Sequence, residues 1–390
     1  MNNKYNILWI SYLRWDVDHH KTSRVELLRH MKKRGHKVSL VATYSKDKNY
    51  SLPDFDVNLL PIRYVPIVAP AIFNLIMMIY LPIYCIKNKP DFIVTDPFST
   101  FPGYFWKILL NKFFNIKFIL DIRSTPIRLM KKRTIPFNLS LNMANNSFDR
   151  ITILTNGMKN ELVNNYNVNP KLISVQNDAT SLEHFDYDKN KEESSLIRKE
   201  LNLVDRFVIF YHGSINIQRG LIDCIKAMIQ IKHTHPNIVL FLLGEGNILS
   251  EITKLKSKYD LNNVMLHSPV DYSIVPKYIG IADVGIVPLP DFAIWRNQMP
   301  NKLLEYLSMK KPVIVSDIQP HLDIINNEQC CIYFKERDIS SLIKAIIYAY
   351  DNRELLTEHG AIGRSIIKTK YNWHRSAENY EKTLIEIKNV

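Results

Sequence analysis

Glycine is missing where a nicotinamide-dependent enzyme would need it. Residues 12–21, the polar loop after the first apolar run, contain none, which excludes the G-x-G-x-x-G turn of a dinucleotide-binding dehydrogenase at that point. Cysteine is scarce. Cys85, Cys224, Cys330 and Cys331 form no C-x-x-C pair, and no Cys/His cluster has zinc spacing; free thiols in a reducing compartment follow. The apolar run 7–10 is too short for the core of a secretory signal, so a cytoplasmic protein is expected. Internal repeats, low-complexity tracts and nucleic-acid recognition motifs are absent, which sets aside a solenoid and a nucleic-acid binder. Acidic residues are thin in one half only. Residues 1–180 hold 25 Lys+Arg against 12 Asp+Glu, and the remainder holds 26 of each. The whole formal charge of +13 therefore sits in the first half. Such asymmetry points to an anionic partner such as a membrane surface, or to a chain rich in lysine and asparagine throughout.

The chain has 390 residues, 46% of them hydrophobic, enough for two domains with substantial cores. Residues 5–11 read as a strand, Thr22 or Ser23 as the cap of a helix running to Arg34, Gly35 as its stop and 38–42 as a second strand. That β-α-β opening is the signature of a doubly wound α/β sheet. The most informative stretch is 296–315, RNQMPNKLLEYLSMKKPVIV. Pro300 suits a first helical turn, Leu303, Leu304 and Leu307 make an apolar stripe, Pro312 stops the helix and Val313-Ile314-Val315 reads as a buried strand. A helix N-terminus facing a ligand offers N–H groups to phosphate, and Glu305 offers oxygens to sugar hydroxyls; the same spacing also describes a surface helix with a solvated glutamate.

Pro300, Lys302, Glu305, Tyr306, Lys311, Pro312 and Val313 resemble the P-x-K-x-x-E-Y…G-K-P-V motif of the retaining glycosyltransferases of family 4. The resemblance implies the GT-B fold: two Rossmann-like, doubly wound α/β domains facing each other across a cleft. It spans nearly the whole chain and is strongest over 205–390. It implies an N-terminal acceptor-binding domain at 1–185, a linker at 186–204, a nucleotide-sugar domain at 205–370, and a helix at 371–390 crossing back to the first domain. Met309-Lys310 departs from the small residue and glycine usual there, and Asn297 stands where the family has an acid touching the transferred sugar.

The site residues follow residue by residue. A strand, a glycine loop and a helix start cradle anions at Gly213 and Ser214. Arg219, before Gly220, matches the family's basic residue and, with Lys302, is expected to steady the leaving diphosphate. Gly244 and Glu245 match a donor-side turn, and Val270 a segment whose backbone meets the base. Pro300, Asn301, Leu303 and Glu305 complete the donor side, the last on the ribose. Arg123, at the end of the strand 117–122, is expected to hold a phosphate of donor or acceptor, or else to be a surface arginine. Asp16 and His19 in the glycine-free loop, with Asp96 and Asp121 at strand ends, are placed on the acceptor side; no metal site is expected from them.

Residues 65–86 carry no charge over 22 positions, long enough to test as a membrane span. Strands expected on both sides in one sheet favour a buried or membrane-facing helix instead. Residues 104–114 mix aromatics with lysine, and 128–133, RLMKKR, add a basic knot; both fit an interfacial helix or a helix packed on its sheet. The expected activity is retaining, metal-independent transfer from a nucleotide diphosphate sugar, with no further cofactor, to a glycan or lipid-linked acceptor in cell-surface polysaccharide or glycoconjugate biosynthesis. The protein would be peripheral at the inner face of the cell membrane. Two rivals stand beside it: a nucleotide-sugar epimerase on the same fold, and a non-catalytic glycosyltransferase-like membrane partner. Donor base, sugar, linkage and oligomeric state are not legible.

Overall fold

The computed structural model describes residues 4–15, 21–44, 52–110, 113–125, 131–326 and 328–389. It divides into two compact units, Met1–Asp178 with Trp373–Val390 and Ala179–Asn372.

Unit 1 is built on a parallel sheet of seven strands: β1 (Asn6–Arg14), β2 (Lys37–Tyr44), β3 (Asp56–Pro61), β4 (Phe92–Thr95), β5 (Lys117–Ile122), β6 (Arg150–Ile153) and β7 (Ile173–Val175). Their order is β3-β2-β1-β4-β5-β6-β7, with the direction of winding reversing at β1. The central strands are apolar on both faces because helices cover both sides, as parallel sheets require; β4, FIVT, is buried at every position. The edge strand β3 is largely accessible and alternates asparagine and aspartate with leucine and valine. Helix Val68–Asn88 joins β3 to β4 and buries Ala69, Phe73, Met77, Leu81, Tyr84 and Cys85, a stripe at helical spacing. Burial lifts the Cys85 thiol to about 12, so it is inert packing rather than a nucleophile.

The last helix, Trp373–Lys388, belongs to unit 1. Its Glu381 accepts from Arg34 Nε at 2.8 Å and lies 3.2 Å from His36 Nε2, and Gln176 donates to Thr383 at 2.8 Å. Tyr380 packs on Trp9 in the middle of β1.

Unit 2 carries six parallel strands: β8 (Phe207–His212), β9 (Ile238–Leu243), β10 (Val264–His267), β11 (Val284–Val287), β12 (Val313–Ser316) and β13 (Cys331–Phe334), in the order β10-β9-β8-β11-β12-β13. Its winding reverses at β8, so the loop after β8 lies at a topological switch point, where open α/β sheets bind ligands. Residues 186–204, expected as a linker, are instead built into this unit. Asp186 caps helix Tyr187–Glu200, and Arg198 donates to the Ile281 and Arg206 carbonyls and pairs with Asp283 at 3.0 Å. The chain passes between the units at Asp178/Ala179 and Asn372/Trp373. Lys310 holds a left-handed φ of 55° at the end of helix Asn301–Ser308, the conformation glycine usually supplies.

Candidate functional site

The site in unit 2 starts from the loop that leaves β8. Gly213 has φ 106°, and a Cβ there would come within 2.8 Å of Lys302 Cε. Gly244, after β9, has φ 152°, and a Cβ on it would fall 1.9 Å from the Gly213 carbonyl oxygen. Two backbones approach each other where only glycine fits. The loops are then stitched together. Ile215 donates to the Glu245 carbonyl at 2.8 Å, Asn247 N to Asn216 Oδ1 at 3.1 Å, and Ile217 N to Asn247 Oδ1 at 3.2 Å. This reciprocal asparagine clasp was not legible in the sequence, because neither asparagine stands in a motif.

Onto this platform come two cations. Lys302, in the first turn of helix Asn301–Ser308, places its amine 5.6 Å from the centre of the Tyr211 ring. Arg219 lays its guanidinium over Trp295, 4.2 Å from the indole ring centre, and Trp295 Nε1 is fixed by the Gln218 carbonyl at 2.9 Å. Burial, with the nearby Arg219 charge, lowers the Lys302 ammonium to about 8 against the pull of Glu305. Burial also lowers Arg219, while Tyr211 opposes that shift. The two cations are near enough for the Arg219 charge to act on Lys302. Among the described residues, neither side chain has an ion pair or a hydrogen bond. Glu305 offsets only part of the burial cost, and an anion joining the two desolvated positive charges would relieve more of it.

Glu305 sits beside them. Its Oε2 lies 3.1 Å from His212 Nε2, and Tyr272 OH donates to Oε1 at 3.4 Å. His212 in turn donates its backbone N–H to Tyr306 OH at 3.2 Å. Tyr306 and Leu303 are fully buried, so the helix is held by its apolar face while Lys302 and Glu305 emerge from the other. The helix N-terminus differs from expectation. The amides of Asn301 and Leu303 donate to the Met299 and Pro300 carbonyls at 3.0 and 2.9 Å. A tight turn around Pro300 uses these two donors. Asn297 is buried just after the short helix Ala293–Arg296, Ser214 and Glu245 are exposed on the two loops, and Val270 packs its side chain against the core. Tyr211, His212, Tyr272 and Trp295 join the site without having been singled out. An arginine and a tryptophan far apart in the chain give no local signal of stacking.

Unit 1 answers the sequence reading differently. Arg123 is buried at the end of β5, where Nε donates to Asp121 at 2.9 Å and Nη1 to Ser23 Oγ at 2.9 Å, with Asp178 at 3.7 Å. Burial would lower its pKa, but Asp121 and Asp178 outweigh that and raise it. Arg24 lies 3.8 Å from the same Asp121 carboxylate, whose other oxygen accepts from Thr152 at 2.9 Å. Asp121, expected on the acceptor side, is thus a buried counter-ion to Arg123 and Arg24. Asp96, expected on the same side, is buried too. Its carboxylate accepts from Ser11 Oγ at 2.5 Å, from the Phe98 and Ser99 amides at 3.0 and 2.9 Å, and from Ser99 Oγ at 2.8 Å. It caps the turn after β4, with three of these bonds on Oδ1 and one on Oδ2. Asp16 and His19 lie outside the described residues.

In a parallel doubly wound unit the switch point, where Gly213 and the two cations lie, is where open α/β sheets bind ligands. The family models narrow the class: "Glycosyl transferases group 1" matches residues 193–365 and "Glycosyltransferase Family 4" matches residues 22–177. The chain belongs to the group 1 glycosyltransferases, with the GT-B fold. It is 20% identical over 235 residues to an uncharacterised glycosyltransferase of Methanocaldococcus jannaschii, covering 60% of this chain and 57% of that protein. It is 26% identical over 210 residues to the UDP-Gal:alpha-D-GlcNAc-diphosphoundecaprenol alpha-1,3-galactosyltransferase of Escherichia coli, covering 53% and 52%. The chain spans about half the length of the curated relatives it matches. Among solved structures, Anabaena Alr3699/HepE in complex with UDP superimposes with a TM-score of 0.77 at 11% identity, over 98% of this chain and 100% of that one.

Proposed function

We propose that this protein transfers a sugar, with retention of anomeric configuration, from a nucleoside diphosphate sugar to a lipid-linked glycan acceptor at the inner face of the cell membrane. The observation that carries the reading is a pair of neighbouring cations held against aromatic rings, Arg219 on Trp295 and Lys302 on Tyr211, neither of them in an ion pair or a hydrogen bond among the described residues. When the bond between the anomeric carbon and the diphosphate oxygen breaks, negative charge grows on the diphosphate, and these two cations stabilise it most where that charge is largest. The acceptor hydroxyl attacks the same face of the sugar, and its proton passes to the departing phosphate oxygen. No side-chain base is needed for that step, and the cationic pair supplies the charge neutralisation without a metal. Glu305, which accepts from Tyr272 and lies beside His212, is left with acceptor capacity for ribose hydroxyls.

Uridine is the first base to test, because the Escherichia coli relative uses UDP-Gal and the Anabaena structure holds UDP. The excess basic charge of residues 1–180 supports contact with anionic lipid. The test is a thermal-shift panel of nucleoside diphosphates. UDP is expected to raise the unfolding temperature of the wild type and not of Arg219→Ala. A panel in which no diphosphate stabilises the wild type overturns the reading.

A further inference from the structure

Helix Val68–Asn88 is long and apolar enough to cross a membrane by length and composition, and the sheet says what it does instead. One stripe packs inward, with Phe73, Met77 and Leu81 fully buried. The other, Val68, Ile72, Leu75, Ile79, Ile83 and Ile86, recurs at the same helical spacing and is exposed, with Leu75 and Ile79 at 67% and 69%. Its neighbours extend this face. Trp106, on helix Thr100–Leu110, donates Nε1 to the Met78 carbonyl at 2.9 Å, and that helix exposes Phe101 and Ile108. Helix Lys131–Ser147 packs beside it and exposes Ile135 and Leu139. Single exposed apolar residues are ordinary; three adjacent helices with aliphatic outer faces mark an interaction surface.

We infer that this three-helix face lies in the plane of an anionic lipid surface, with the Ile72–Ile86 stripe immersed along its whole length rather than spanning the bilayer. The inference rests on the membrane reading above and specifies its mode. Spanning is excluded by pairing. The helix runs from β3 to β4, and β4 pairs with β1 (Ile7↔Phe92 to Ile10↔Thr95), which joins β2 and so β3 in the same sheet. Both ends of the helix therefore return to one sheet, on one side of any bilayer.

Charge names the occupant. Residues 57–148 contain three acids, Asp91, Asp96 and Asp121. Asp96 and Asp121 are buried, and Asp91 accepts from the Asn6 amide at 2.9 Å and pairs with Lys388 at 3.2 Å. Arg63, Lys87 and Lys89 near the ends of the helix are exposed. A second copy would bring like charges together around the apolar face, whereas phosphate headgroups match them.

The experiment places a nitroxide label on cysteines introduced singly at Ile72, Ile79 and Ile86 of the full chain, in a Cys331→Ser background. Depth is read by oxygen and nickel-chelate accessibility on phosphatidylcholine–phosphatidylglycerol vesicles. The labelled positions span about 21 Å along a helix axis. In-plane docking gives three similar depths. A gradient of roughly 20 Å, or labels that stay in water on bound protein, overturns the inference. Leu75→Asp with Ile79→Asp should cut vesicle binding by about tenfold or more, with an unchanged circular dichroism spectrum, and high salt should weaken wild-type binding without abolishing it. A lipid-free dimer that immobilises the same labels assigns the face to a second copy instead. Stabilisation by UDP in lipid-free solution is read separately. If it persists while vesicle binding is absent, the docking inference falls and the donor-site reading stands.

Discussion

Each unit sets two basic side chains near the carboxyl edge of its parallel sheet, and the two sets are partnered in opposite ways. In unit 1, Arg123 and Arg24 meet the carboxylates of Asp121 and Asp178. In unit 2, Arg219 and Lys302 meet the rings of Trp295 and Tyr211. A buried cation matched by an acid is at rest and serves the fold. One pressed against aromatic faces, with its ordinary pKa depressed by burial, is in a state that an incoming anion relieves. The counter-ion, more than the cation, separates the basic residues of unit 1 from those of unit 2.

The sharpest way to break this comparison is to remove one acid from unit 1. Asp121→Ala leaves Arg123 and Arg24 short of a counter-charge and is expected to destabilise unit 1 by about 3–5 kcal/mol. Hydrogen exchange of the β5 amides would report it, and UDP affinity of protein still folded should change little. Arg219→Ala should do the reverse. UDP affinity falls about 10- to 100-fold by calorimetry, the scale of a lost charge-assisted contact, while the unfolding temperature holds or rises. Equal loss of stability in both variants would erase the distinction.

Lys302→Met sharpens it further. The ammonium's pKa is about 8 in the folded protein against about 10.4 in an unfolded chain. Its ionised form therefore weighs against folding, fully below about pH 8, and the penalty is relieved as pH rises from there. The variant should unfold a few degrees higher at pH 7 and lose UDP binding. In the wild type, a diphosphate bound as proposed would hold the proton on Lys302. UDP affinity should then fall as pH rises above about 8, with proton uptake on binding seen by calorimetry in buffers of different ionisation enthalpy. The smallest effect is expected from Trp295→Leu. Removing the cation–π platform under Arg219 should weaken UDP by about 3- to 10-fold, or ~1 kcal/mol.

The motif at 296–315 was readable because its rules are local. A proline, a leucine stripe and a β-branched run give a helix at Asn301–Ser308 and a strand at Val313–Ser316. The doubly wound β-α-β opening was readable for the same reason. Partnership was not. Sequence places Arg123 correctly at a strand end, yet Ser23, Arg24 and Asp178 arrive from other elements and bury it. The turn around Pro300 likewise hides its consequence, since the fate of the Asn301 and Leu303 amides depends on how tightly the chain bends. The apolar length of 65–86 was visible, but its division into a buried and an exposed stripe appears only once the sheet is in place.

The helix Trp373–Lys388 completes unit 1 only after the chain has run through all of Ala179–Asn372. Unit 2 is sequence-contiguous and can close while still leaving the ribosome. Unit 1 must wait, with Arg34, His36 and Trp9 uncovered, until the final helix is synthesised. Order of assembly is thus written into the threading: the contiguous unit matures first, and the half with the greasy exterior stays open longest.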